Sequence, residues 1–234
     1  MGDGYKLFQN AEAFSFFDNL VDSQEAKYIA AGQLFGGKRV FLTAKVGDNF
    51  NVAGEDAHQQ YLLIANSHDG SQAFTAGVVT MRISCWNAVT MSLKGARYKW
   101  TLRHQSSLEG KVSQAREALA MTYKYSEAFQ AEVEKMMQIQ VEKDAFYKIV
   151  DGLVPPAKLQ HAKNVTALMD VFENEPTVNE TNAKGTAWGA YNALTFWTDH
   201  GKTYHNEASR FKSLVGAGFA EKFREKAHRR LITL

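Results

Sequence analysis

The chain has 234 residues, of which 45% are hydrophobic and 22% are charged, with a formal net charge of +2. This ordinary globular composition excludes a largely disordered chain and is sufficient for one substantial core. The single cysteine, Cys85, excludes an internal disulfide framework and is expected to be a small buried residue. No apolar run of about 18 residues occurs, so we predict no membrane span and a cytoplasmic protein.

The first half of the chain is predicted to form one helix followed by antiparallel strands. Residues 8–22 have the spacing of an amphipathic helix. Two β-rich runs then flank Gly36-Gly37, a hairpin signal because both glycines tolerate positive φ. Three further strands are predicted, at residues 60–66, 74–87 and 98–104.

Side chains alternate across a strand, so the run from 74 to 87 divides into two faces. The apolar face is expected to point to the core and comprises Val79, Met81, Ile83 and Cys85. The opposite face would then carry Arg82 and Trp86 toward an open surface, provided that no bulge interrupts the strand.

The second half is predicted to be helical. A long helical region begins near Ser106 and is closed by Gly152 and Pro155-Pro156. Shorter helices are predicted at 165–172, 185–197 and 207–231. The order predicts an α+β fold, with an antiparallel sheet first, then a long helix and a helical C-terminal half. We expect an α+β core domain over residues 1–155 and a helical region over 156–234.

Motifs for enzyme chemistry are missing from the sequence. The seven histidines are scattered, without metal-ligand spacing, and neither a phosphate-binding glycine loop nor a nucleophile elbow occurs. We therefore predict no metal, no cofactor and no catalytic residue, and we favour a non-catalytic protein. A hydrolase or nuclease built on His68, Asp69 and His104 stays open as an alternative.

Basic and aromatic residues are interleaved between residues 82 and 116, where Glu109 is the one acid. Cations neutralise phosphates, and aromatic rings stack on bases, which is the combination that single-stranded nucleic acid requires. The competing interpretation is a solvated sheet face with its tryptophans in the core. The candidate nucleic-acid-binding residues are Arg82, Trp86, Lys94, Arg97, Tyr98, Lys99, Trp100 and Arg103.

A second basic stretch lies at the C-terminus, where the apolar stripe Phe219, Phe223, Ala227 and Leu231 predicts an amphipathic helix. An ordinary packed terminal helix is favoured over a membrane or nucleic-acid surface. Acidic residues cluster elsewhere, over 18–25 and 170–180. This separation of charge suits a homo-oligomer that associates head to tail.

Several motifs occur in the same order as in a known family. They are Tyr5, Gln9-Asn10, GGKRV at 36–40, LLIAN at 62–66, SHDGS at 67–71, TMRISCWN at 80–87 with its R-x-x-C-x-N pattern, Arg103-His104 and AREA at 115–118. Over residues 5 to about 150 the chain resembles the phage/plasmid-like proteins grouped as domain of unknown function 932. Members usually have more sequence before the GDGY-like start, so we expect either a short version or a trimmed chain.

The resemblance implies a phage or mobile-element origin and the host cytoplasm, without a firmly assigned activity. The β-rich half followed by a long helix is also similar, at the level of fold, to phage single-strand annealing proteins. Our hypothesis is a self-associating, non-catalytic protein that binds single-stranded DNA, as an annealing or recombination protein. The alternative is a phage protein that binds and modulates a host protein.

Overall fold

A computed structural model describes residues 10–69, 73–85, 87–102, 108–156, 159–178, 182–206, 209, 213 and 218–234. In these residues, helix α1 (Asn10–Asp22) precedes strands β1 (Ala26–Leu34), β2 (Arg39–Val52), β3 (Asp56–Ser67), β4 (Thr75–Arg82), β5 (Asn87–Ala88) and β6 (Lys99–Thr101). Helices follow: α2 (Leu108–Gln138), α3 (Lys143–Leu153), α4 (Leu159–Asn174), α5 (Ala187–Phe196), the π-helical turn Trp197–Gly201 and α6 (Phe219–Leu231). The predicted α+β architecture is confirmed.

The sheet has the strand order β1-β2-β3-β4-β5, with β6 paired to β4. Strands β1 and β2 form the predicted antiparallel hairpin, and Gly36 and Gly37 occupy its turn with φ angles of 66° and 87°. A second tight turn joins β2 to β3, where Ala53 and Gly54 have φ angles of 50° and 90°. Strand β3 begins directly after that turn, at the buried Asp56.

Two predicted elements are interrupted in the structure. The strand predicted over 74–87 ends at Arg82, where Ile83 N donates to Ala57 O at 2.8 Å, and resumes as the short β5. The long helical region divides into α2 and α3, because the residues between them pair with a distant segment. Val141 N donates to Gly185 O, and Ala187 N donates to Ile139 O, both at 2.8 Å. Pairing over this separation leaves no local signal in the sequence.

The chain forms two compact units, which are described separately. The first comprises residues 1–49, 59–80 and 92–128, and the second comprises 50–58, 81–91 and 129–234. A boundary between the units thus falls within α2, after residue 128. The first unit has an apolar core from α1, the sheet with its adjoining residues, and α2: Leu20, Ala26, Leu42, Ala44, Val46, Leu62, Ile64, Phe74, Ala76, Leu102, Ala115, Ala118 and Leu119.

The second unit is organised around α5, which is buried from Ala187 to Thr195. Thr186 caps this helix by accepting from Gly189 N at 3.2 Å. Asp199 in the π-helical turn is buried, pairs with Arg224 of α6, and accepts from Ala88 N of β5 at 2.8 Å. The predicted stripe of α6 is buried at Phe223, Ala227 and Leu231, so α6 is a packed terminal helix, as favoured.

Candidate nucleic-acid interface

A groove of about 790 Å³ lies in the first unit, between β6 and the start of α2. One wall, which we call the strand wall, comprises Arg97, Lys99, Trp100, Thr101 and Leu102. The other, the helix wall, comprises Gly110, Ser113, Gln114, Glu117 and Met121.

The strand wall is positioned by the pairing of β6 with β4. Lys99 lies opposite Gly77, and Trp100 lies opposite Ala76. A Cβ on Gly77 would lie 3.3 Å from Tyr98 O, so glycine allows β6 to approach closely. Strand alternation leaves Lys99 exposed and Trp100 half-buried against the core of the first unit. The wall therefore combines an exposed cation with a half-buried ring.

The helix wall follows from the periodicity of α2. Its members recur at i, i+3, i+4, i+7 and i+11 from Gly110, so they share one face of the helix. Ala115, Ala118 and Leu119 lie on another face and are buried in the core. The helix wall was not predicted from the sequence, because its residues are neither basic nor aromatic. The polar spacing of Ser113, Gln114 and Glu117 was the available signal.

The two walls carry different charges. Arg97 and Lys99 are exposed on the strand wall, and Glu117 is exposed on the helix wall. Lys99 Nζ also lies 5.8 Å from the ring centroid of Tyr98, a cation–π distance. Tyr98 in turn packs on the buried Tyr125, with ring centroids 6.3 Å apart.

The groove brings together three of the eight predicted site residues: Arg97, Lys99 and Trp100. Lys94 is exposed on the turn that contains Gly95, whose φ is 80°, and Tyr98 is half-buried; neither lines the groove. Trp86 and Arg103 lie outside the described residues.

Arg82 does not belong to this surface, and the prediction that its side chain faces outward is wrong. It is fully buried, as are Val78 and Thr80 on the same face, while Val79 and Met81 of the opposite face are half-buried. The expected faces are exchanged because Arg82 has a buried partner: Arg82 Nε donates to the two Asp56 carboxylate oxygens at 2.7 and 2.9 Å.

Asp56 is the centre of a buried polar cluster in the second unit. Besides the bonds from Arg82, its Oδ2 accepts from Trp188 Nε1 at 3.0 Å. Arg82 Nη1 donates to Thr177 O, and Arg82 Nη2 has no hydrogen-bond partner among the described residues. The Asp56 carboxylate thus neutralises the buried charge of Arg82 through its Nε and also accepts from Trp188, and both interactions matter because an unpaired buried charge is costly.

His58 lies against the same cluster. Its ring centroid is 5.5 Å from that of Phe129 and 5.7 Å from that of Trp188. Nδ1 donates to Asp56 O at 2.8 Å, and Nε2 has no partner among the described residues. Burial lowers the pKa of His58; Arg82 lowers it further, and the Asp56 carboxylate opposes the shift.

Acidification is therefore expected to destabilise the fold. The unfolded chain binds a proton at His58 near the ordinary pKa of 6.5, whereas the folded chain resists it. The free energy of unfolding should fall as the pH drops through about 6.5 and continue to fall toward the lowered pKa. His228, whose pKa is lowered mainly by burial, adds to the effect. Urea denaturation between neutral and mildly acidic pH measures it.

The matched variants for this test are His58→Phe and His205→Phe, because His205 is exposed. The first should flatten the pH dependence, and the second should leave it as in the parent chain. An equal slope for parent and His58→Phe would show that other groups cause the acid loss.

Cys85 and the His68-Asp69 pair have structural rather than catalytic surroundings. Cys85 is buried, as predicted, and burial raises the pKa of its thiol, which disfavours the thiolate that a nucleophile needs. His68 N donates to Lys38 O at 2.8 Å, so its backbone is paired with a distant segment. Ser67 Oγ donates to Asp69 Oδ1, two residues on, at 2.6 Å, which fits a turn. His104 lies outside the described residues.

Neither a metal-binding cluster nor a membrane-spanning helix is found in the described part of the chain. There, no group of three or more histidine, cysteine, aspartate or glutamate residues is arranged to hold a metal ion. Among the described helices, none combines the length and the apolar character needed to cross a membrane.

No curated protein and no solved structure matches the chain significantly. A protein-family model described as "Domain of unknown function (DUF932)" does match it, over residues 1–215. The matched span includes both walls of the groove and the Asp56–Arg82 pair, and it extends well beyond the motifs recognised in the sequence. The chain therefore belongs to this family of unknown function.

Proposed function

We propose that the groove binds single-stranded DNA and that the chain is a non-catalytic annealing or recombination protein of a phage or mobile element. The observation that carries the proposal is the strand wall, where Arg97, Lys99 and Trp100 line one groove. Cations that neutralise phosphates stand beside a ring that stacks on a base, which is the pattern of single-strand recognition.

The dimensions and the ring support a single strand as the ligand. The groove volume of about 790 Å³ lies within the range of roughly 300–1,000 Å³ for clefts that enclose a small ligand, so a short segment of one strand fits. Trp100 is half-buried, so its indole keeps accessible surface for a base without losing its support in the core. Stacking of this kind contributes about 1–3 kcal/mol per base.

Fluorescence anisotropy on labelled single-stranded and duplex oligonucleotides tests the proposal. We expect the single strand to bind more tightly. If Arg97 and Lys99 each neutralise one phosphate, affinity should fall roughly sevenfold between about 50 and 200 mM salt, because each contact adds about 0.7 to the logarithmic slope. Absence of binding at low salt, or a preference for duplex, contradicts the proposal.

Annealing requires several chains, and we propose self-association through β1. This strand ends the order of the sheet in the described residues. Ile29 within it is 53% exposed, and Phe35 directly after it is 44% exposed. An exposed apolar edge strand is suited to pairing with another chain. Light scattering on the purified protein checks this, and the mass of a single chain would contradict it.

The second candidate is binding of a host protein, and the same apolar edge favours it. A monomer that retains one stoichiometric host partner, loses it on the Ile29→Lys change, and carries no nucleic acid would replace the first proposal with this one.

A further inference from the structure

We propose that the groove reads base edges and prefers cytosine and adenine, which carry an amino group where uracil, thymine and guanine carry an oxygen, with Glu117 as the reader. This inference rests on the proposed function, since it requires a single strand in the groove. It adds a selectivity that stacking and phosphate contacts do not provide, because every base has a ring face and every nucleotide a phosphate.

The first argument is the difference between the two walls. Arg97 and Lys99 on the strand wall are donors without acceptor capacity, whereas the ionised carboxylate of Glu117 on the helix wall is an acceptor only. A phosphate is attracted to the first wall and repelled by the second. The backbone of a bound strand therefore follows β6, and its bases point toward α2.

The second argument is the chemistry available at the helix wall. The cytosine and adenine amino groups donate hydrogen bonds, and glutamate is a known acceptor for the amino group of cytosine. Thymine and uracil present an oxygen at the same place, which a carboxylate repels. Gln114 lies three residues before Glu117 on the same helix face, so its amide is adjacent to the same base.

The third argument is the position of Trp100. It belongs to the same groove, on the wall opposite Glu117. A base stacked on a half-buried ring has its plane fixed, which directs its polar edge instead of leaving it free to rotate. Fixed orientation is what allows one carboxylate to discriminate between two bases of equal size.

The experiment compares oligo(dC) with oligo(dU) of about 16 nucleotides, the upper end of the site sizes of single-strand-binding folds. These pyrimidines are equal in ring size and differ at the edge that carries the amino group. For the parent chain we expect oligo(dC) to bind about fivefold more tightly or better, which corresponds to one good side-chain–base contact.

The variant Glu117→Gln should remove most of this preference, because an amide both donates and accepts and so serves either base. Glu127→Gln is the matched control: it makes the same charge change at an exposed position of α2 outside the groove, and it should keep the preference.

Each outcome decides between the two proposals. Equal binding of both oligonucleotides by the parent chain overturns base reading and leaves single-strand binding intact. If Glu117→Gln strengthens both complexes by one common factor, Glu117 acts only as a like charge near phosphate, and base reading is again overturned. Failure of the parent chain to bind either oligonucleotide overturns the proposed function as well.

Discussion

Replacing Asp56 by alanine is expected to lower the free energy of unfolding by about 3–5 kcal/mol, the usual cost of removing one partner from a buried ion pair. Asp56 is 2% exposed and Arg82 is 0% exposed, so water does not replace the lost carboxylate. The change also removes the acceptor of Trp188 Nε1, which leaves a second buried donor unpaired. Urea denaturation followed by tryptophan fluorescence measures the loss.

A double variant separates loss of pairing from loss of packing. In Asp56→Ala with Arg82→Met, the unpaired charge is gone, so the double variant should be more stable than Asp56→Ala alone. Asp48→Ala, at an exposed position of β2, is the control and should change stability by less than about 0.5 kcal/mol. If Asp56→Ala is as mild as this control, the pair does not hold the fold together.

Reversing both cations of the strand wall, with Arg97→Glu and Lys99→Glu, should weaken single-strand binding roughly tenfold or more at low salt. Two phosphate contacts are lost, and two like charges are placed in the groove. The logarithmic salt slope should become shallower by about 1.4, because each contact contributes about 0.7. Anisotropy titrations at several salt concentrations provide both quantities, and Arg97 and Lys99 are exposed, so the fold should tolerate the change.

The control must reproduce the change in net charge without touching the groove. Arg116→Glu with Lys124→Glu does so, because both residues are exposed on α2 and neither lines the groove. This pair should weaken binding only through the long-range field, which salt screens. If the two double variants lose affinity equally, the groove is not where the strand binds.

Local patterns predicted much of the fold. The Gly36-Gly37 turn, α1 and the helical second half are set by short-range periodicity and by backbone preferences, which a sequence displays directly. The break between α2 and α3 depends on Gly185, more than 40 residues away from Val141 in the chain by their numbers. No window of sequence contains both sides of that pairing.

The candidate site shows the same division. Arg97, Lys99 and Trp100 were recognisable because cation and ring stand close together in sequence. Arg82 is an arginine close to a tryptophan in sequence, as Arg97 is. Its partner is nevertheless Asp56, which follows the turn at Ala53 and Gly54. Tertiary contacts decide whether an arginine is free to bind phosphate or is paired with a buried carboxylate. The local sequence around Arg82 therefore led to the wrong prediction that it binds nucleic acid.

The bonds made by Asp199 also bear on how the chain matures during synthesis. Ala88 N of β5 and Asp199 Oδ2 are 111 positions apart in sequence. At ribosomal speeds of about 5–20 residues per second, Asp199 is synthesised roughly 6 to 22 s after Ala88. Arg82 and the carbonyl of Thr177 are 95 positions apart, so that bond is delayed by roughly 5 to 19 s. The nascent second unit therefore spends several seconds before these polar groups can meet their final partners.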